Sequence, residues 1–240
     1  TQAAADFKGN DGPATTPAGG VISAHGSSCR LGGGIQSTAS ARDAGATGHD
    51  AVGQVPPLRW ESDAGTQAVA TYGAFMRSIE HFDQAAFHIS PAEASIMDPH
   101  QRLALEEGYT ALHAAGLGRS ALMGSTTGVF AGIWQSDYSA VLPKRGAAGR
   151  SGFAVTATGT SMLVGRVSYA LGLQGPCIAV DTACSSALSA SHAALAALRQ
   201  RECDTGLVLG VNVMCDQGLS LLFAAARMTS PTGKSHTFDA

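Results

Sequence analysis

Hydrophobic positions along this chain gather into four short runs: Val21-Ile22-Ser23-Ala24, Gly128-Val129-Phe130-Ala131-Gly132-Ile133, Cys177-Ile178-Ala179-Val180 and Leu207-Val208-Leu209-Gly210-Val211-Asn212-Val213. The first reads as a candidate first strand and the other three as buried strands. Between them lie stretches with helical signals. Ser90-Pro91-Ala92-Glu93 has a capping serine, proline at the first helical position and glutamate three residues on. Asp98-Pro99-His100-Gln101 repeats that logic and opens a helix to about Ala115. Its Leu105, Tyr109 and Leu112 share one face, with Gly116 as the stop. Ser161–Leu171 and Ser185–Arg201 also read as helices. Strands alternating with helices predict an α/β fold in which helices cover the sheet.

The intervening polar segments divide differently. Residues 1–20, rich in Ala, Gly, Thr and Pro, read as an unstructured leader or linker, leaving 21–240 as one domain. Ser37–Gly48 contains no Val, Leu, Ile or Phe. With no apolar stripe to bury, a packed helix is not expected there, and residues 36–55 read as a candidate for poor order. Pro56-Pro57-Leu58-Arg59-Trp60 reads as a turn with an aromatic anchor.

The chain is 45% hydrophobic and 14% charged, with a formal net charge of −3. That balance offers no electrostatic case for nucleic acid or an anionic membrane. No apolar run reaches the roughly 20 residues of a membrane helix, and Thr1-Gln2-Ala3-Ala4-Ala5-Asp6 does not resemble a signal peptide. Cys29, Cys177, Cys184, Cys203 and Cys215 are odd in number and lack a CxxC spacing. They read as reduced thiols of an intracellular protein, cytoplasmic or in an organelle such as a plastid, with no metal site and no bound cofactor.

One cysteine has a special position. Cys184 falls between the Cys177–Val180 strand and the helix beginning near Ser185. A helix N-terminus carries partial positive charge and unpaired N–H groups, which favour a thiolate and hence nucleophilic chemistry. The competing reading is a small core thiol. Asp181 and Thr182 read as turn-shaping residues. Ser185, Ser186, Ser189 and Ser191 read as small packing residues. His192 lies eight positions past Cys184, too far along the helix for contact, and reads as a packed or capped helix residue. Cys177, Cys203 and Cys215 read as core thiols, and His25 and Cys29 as structural members of a Gly/Ser loop.

Asp181-Thr182-Ala183-Cys184-Ser185-Ser186-Ala187-Leu188 resembles the active-site motif of β-ketoacyl synthases, above all the ketosynthase domains of type I modular polyketide synthases. Phe87–Leu103, with Ser90-Pro91 and Met97-Asp98-Pro99-His100-Gln101-Arg102, is similar to that family's GISP-x-EA-x-x-MDPQQRL signature. Thr127–Gly132, Gly165–Leu173, Gly210–Val213 and Ser230–Lys234 with Phe238-Asp239 agree in order. Gly26–Gly34 is a weaker match.

The resemblance implies the thiolase-like layered αβαβα fold and a homodimer. It also implies acyl transfer onto Cys184 from the phosphopantetheine arm of an acyl carrier protein. Decarboxylative condensation with a malonyl-type extender would follow. The Cys184 N–H would serve in the oxyanion hole, and Phe223, Met228 and Met162 would line an acyl tunnel. The family's two further histidines, in HGTGT-type and N-x-GH-type motifs, are absent from these 240 residues. The chain therefore resembles the N-terminal portion of a ketosynthase, without the C-terminal half and incompetent in condensation alone. The competing readings are a non-catalytic half domain, or another cysteine-dependent thiolase-fold acyltransferase or hydrolase.

Overall fold

The computed structural model describes residues 2–9, 21–57, 59–60, 71–146, 149 and 151–235. The expectations placed on residues 10–20, Leu58 and Phe238-Asp239 lie outside that set. In chain order the elements are β1 (Gln2–Gly9), β2 (Ile22–Ala24), β3 (Ser28–Cys29), α1 (Thr38–Thr47), β4 (Gly53–Gln54) and β5 (Tyr72–Gly73). There follow α2 (Pro91–Ile96), α3 (Pro99–Ala114), α4 (Arg119–Leu122), β6 (Gly128–Ile133), α5 (Tyr138–Val141) and α6 (Ala154–Ala157). The last are α7 (Thr160–Leu171), β7 (Cys177–Val180), α8 (Ser186–Arg199), β8 (Thr205–Val211) and α9 (Gly218–Ala225).

The main sheet runs β2-β1-β8-β6-β7, with β3 also paired to β1. β6 is parallel to both β7 and β8, while β1 is antiparallel to β8, β2 and β3. The segment Gln2–Gly9, expected as part of an unstructured leader, is thus a strand inside the sheet. Its composition hid this because the pairing is supplied by β8 rather than by any alternation of its own.

Alternation along β6 and β8 sorts the core into two layers. Val129, Ala131, Ile133, Leu207, Leu209 and Val211 face Leu105, Leu112, Leu163 and Val167 of α3 and α7. Phe130 and Val208 face the other way, onto Ala190, Ala194, Ala197 and Leu198 of α8. Phe130 is fully buried, and burial of such a side chain stabilises by roughly 1.5–3 kcal/mol. Helices on both faces of a mixed sheet confirm the α/β class.

The expected caps hold α2 and α3. Ser90 Oγ accepts the Glu93 N–H, and Asp98 Oδ1 accepts the His100 N–H. Gly116 follows α3 with φ of 84°. Trp60 sets its ring edge-on to Phe75, as the aromatic anchor required.

Three further expectations fail. Ser37–Gly48 is helical after all: α1 has no buried residue but is closed at both ends. Ser37 and Ser40 form a reciprocal capping box, and Gly48 takes the left-handed C-cap conformation. Cys177 is exposed rather than a core thiol, because β7 is the edge strand of the sheet and Ile178 beside it is also exposed. His192 is exposed on α8 rather than packed. Cys203 and Cys29 are buried, and Cys215 is half-buried.

Candidate active site

The candidate nucleophile sits where β7 gives way to α8. Residues Ala183–Ser185 form a single 3₁₀ turn, and α8 continues from Ser186. The first hydrogen bond inside that turn runs from Ser185 N–H to Thr182 O, so the Cys184 N–H precedes it as one of the orphan donors of a helix start. Cys184 itself is exposed.

The turn rests on a strained residue. Ala183 has φ of +57°, a left-handed conformation that costs a non-glycine residue about 1–2 kcal/mol. Its peptide groups are pinned on both sides. The Ala183 N–H donates to Asp181 Oδ1 at 3.0 Å, and the Ser186 hydroxyl donates to Ala183 O at 2.6 Å. The same Ser186 Oγ accepts the Thr182 N–H at 2.9 Å. Ser185 Oγ donates to Thr182 O, and Thr182 Oγ1 lies 3.0 Å from Ser189 Oγ. Asp181 and Thr182 therefore act on the backbone, as turn-shaping residues do. The serines do more than pack, since their hydroxyls tie the turn to the first two turns of the helix. Strain of this kind persists only where the surroundings over-determine it.

The height of the turn above the sheet is set by Gly132 of β6. A Cβ built there would lie 2.3 Å from the carbonyl carbon of Ser186 and 2.4 Å from the Ala187 nitrogen. Only glycine lets the start of α8 come this close. Within the Gly128–Ile133 run Gly132 looks like any other strand glycine, because a sequence does not declare what approaches it.

The other candidates fall in two places. Phe223 lies on α9 and stacks on Trp134, which follows β6, with ring centroids 5.7 Å apart. Met228 is exposed just past α9, its N–H bonded to Phe223 O. Met162 opens from α7 into a different cavity of about 580 Å³. Phe87, Met123, Arg166 and Tyr169 share its walls, whereas Cys184, Phe223 and Met228 do not. The three proposed tunnel residues are thus not brought together.

A buried polar pair supports the segments that follow β6 and β8, at the same C-terminal end of the parallel strands as the Cys184 turn. His100 is fully buried, with Nδ1 2.7 Å from Asp98 Oδ1, while Nε2 accepts the Val213 N–H at 2.9 Å. Ser136 Oγ donates to the other oxygen of Asp98. Burial alone would push Asp98 up. The hydrogen bonds from the His100 ring and N–H and from Ser136 outweigh it, and hold Asp98 below the usual carboxylate range. Among the described residues no cluster of His, Cys, Asp and Glu fits a metal ion, and no helix is long and apolar enough to cross a membrane.

Comparison with known proteins covers nearly the whole chain. Residues 21–240 match the family profile "Beta-ketoacyl synthase, N-terminal domain". The polyketide synthase GfsA of Streptomyces halstedii is 41% identical over 225 residues, which is 90% of this chain and 3% of that protein. The phenolphthiocerol synthesis polyketide synthase type I Pks15/1 of Mycobacterium bovis is 39% identical over 221 residues, 88% of this chain and 10% of that protein. Among solved structures, the ketosynthase from module 6 of the bacillaene synthase of Bacillus subtilis 168 superposes with a TM-score of 0.80 at 30% identity. It covers 99% of this chain and 36% of that one. The chain thus spans a small part of its curated relatives and about a third of that ketosynthase. The superposition places the described half-layers in a thiolase-like fold.

Proposed function

The chain belongs to the β-ketoacyl synthase family, matching its N-terminal domain, and we propose that Cys184 is the nucleophile that accepts the acyl group in a polyketide-synthase condensation. The observation that carries this reading is the pinned turn. It holds Cys184 exposed at the start of α8 with its own N–H free to donate.

In the proposed first step the Cys184 thiolate attacks the carbonyl of an acyl thioester on the phosphopantetheine arm of an acyl carrier protein. The tetrahedral oxyanion that forms accepts a hydrogen bond from the Cys184 N–H. Its collapse forms the Cys184 thioester and expels the pantetheine thiolate, which takes up a proton. In the second step a malonyl-type extender loses CO₂, and its carbanion attacks the Cys184 thioester. The new carbon–carbon bond forms as the thiolate leaves. The groups that would stabilise the developing enolate, including the two histidines the family uses, do not occur in these 240 residues. We assign that step to a complementary C-terminal half.

Two apolar features support an assembly of this kind. Leu188 on α8 and Leu222 on α9 are 76% and 66% exposed, facing away from the described core. In our reading the C-terminal half covers them. Among the described residues β7 pairs on one side alone, with β6, and its other side suits antiparallel pairing with a second copy in a homodimer. For the acyl chain, Phe223 on Trp134 and the exposed Met228 remain the proposed wall, and Met162 belongs to a separate cavity.

Incubation of the full-length protein with an acyl-pantetheine thioester, followed by mass spectrometry, tests the reading. A persistent acyl adduct on Cys184 is the expected result. Rapid release of free acid would instead support a cysteine-dependent hydrolase, and no adduct would support a non-catalytic half domain.

A further inference from the structure

Away from Cys184, a solvent-open cavity of about 720 Å³ lies against α3 and α5, with Arg59, Arg102, Arg145, Tyr138, Glu80 and Cys215 in its walls. Three guanidinium groups converge on it, and none of them has a carboxylate within ion-pair distance among the described residues. Each is instead held by backbone carbonyls. Arg59 donates to Met76 O at 2.6 Å and Met214 O at 3.1 Å, Arg102 to Glu80 O at 3.2 Å, and Arg145 to Ser95 O at 2.8 Å. Carbonyl partners fix the direction of a guanidinium but leave its charge uncompensated.

The nearby carboxylates are engaged elsewhere. Asp98 is taken by His100 and Ser136, and Asp216 by Lys144. Oδ2 of Asp137 accepts the N–H groups of Cys215 and Asp216; its Oδ1 is buried without a partner, but Asp137 is not part of the lining. The Glu80 carboxylate is 67% exposed and reaches only His81. Burial pushes the Cys215 thiol far up, so it adds no negative charge. The walls thus hold three cationic groups against the single carboxylate of Glu80.

Two donors in the walls have no hydrogen-bond partner among the described residues. The Tyr138 hydroxyl belongs to a side chain only 3% exposed and has no partner, and the Nε–H of Arg102, 7% exposed, has none either. A buried donor left without an acceptor keeps its full desolvation penalty. Burial also pulls the Arg59 and Arg102 guanidinium groups down from their ordinary values, and the carboxylates of Glu80 and Asp137 near Arg59 and of Asp98 near Arg102 offset this only in part. A guanidinium fork matches the oxygens of a phosphate group, which accept several hydrogen bonds at once.

We propose that this cavity binds a small phosphate-class oxyanion, held by Arg59, Arg102, Arg145 and the Tyr138 hydroxyl. The ion itself could be inorganic phosphate or the head of a phosphate ester, which share this chemistry. The site is independent of the reaction assigned to Cys184.

The test is equilibrium dialysis of the full-length protein against labelled inorganic phosphate at constant ionic strength in chloride, with methyl phosphate as competitor. The expected result is a saturable site that weakens about tenfold in Arg145→Gln and in Tyr138→Phe. The surface variant Arg77→Gln should leave it unchanged, and all three variants should keep their circular dichroism. Competition by methyl phosphate tighter than by phosphate itself identifies an ester, and the reverse order identifies the free ion. No saturable site, or one unaffected by both cavity variants, or one lost equally in Arg77→Gln, would overturn the proposal.

Discussion

Gly132 and Ser186 touch so closely that a single methyl group between them is forbidden. A Cβ on Gly132 would stand 2.3 Å from the Ser186 carbonyl carbon. The contact is with backbone, so no side chain can rotate away. Gly132→Ala should lift the start of α8 off β6 and displace the Cys184 turn. The expected cost is about 3 kcal/mol, near the upper end for overpacked cores, with acylation of Cys184 slowed more than tenfold. Urea unfolding and single-turnover acylation check both. Wild-type stability would mean that the helix start does not rest on this glycine.

Cys184 contributes little to the packing that holds the fold, since it is exposed. Cys184→Ala should leave stability within about 0.5 kcal/mol of the parent, as for most surface changes. It should take up no acyl group from a pantetheine thioester. Labelling that persists at Cys177, the other exposed thiol, would assign the chemistry to the wrong end of β7.

Ser186 is placed to hold the strain at Ala183, because its hydroxyl bonds both Thr182 N–H and Ala183 O. In Ser186→Ala the strained turn loses a tie on each side. The expected loss is about 1–2 kcal/mol, with acylation slowed by a larger factor than Ser191→Ala produces. Ser191 bonds only Ala187 O within the helix and is the control. Equal effects from the two would show that the serines act as generic helix residues.

Asp98 gives a pH signature. Its carboxyl lies below its unfolded value of about 3.9. The ionised form therefore contributes stability at pH values above the unfolded value. That contribution is lost as pH falls through the lower folded one. Asp98→Asn should reduce stability at pH 7 and flatten the decline of the parent below about pH 4. Urea midpoints from pH 7 to pH 2.5 measure this, and parallel curves for parent and variant would contradict it.

The parts of this molecule that were legible in the sequence are those whose physics is local. Asp98-Pro99 announces α3 because capping needs only the cap residue and the first turn, and Gly128–Ile133 announces a strand because burial on both faces leaves an unbroken apolar run. The turn at Cys184 was legible as strand, thiol and helix in succession. What was hidden depends on neighbours in space. Nothing within Cys177–Val180 states that β7 has a partner on one side alone, and nothing in Val213 states that its N–H will meet His100. The helix α1 was missed for the opposite reason: its stability is local, in Ser37, Ser40 and Gly48, whereas an apolar face was the signal sought.

The strand Gln2–Gly9 has a practical consequence for where this protein can be cut. It lies between β8 and the short strands β2 and β3. A chain shortened to start at residue 21, where the family match begins, would strip it out. The full length of β8 would then be left as a raw border, and β2 and β3 would be severed from the sheet they extend. Such a trimmed protein should precipitate during expression. The same segment supplied as a separate peptide should restore its solubility.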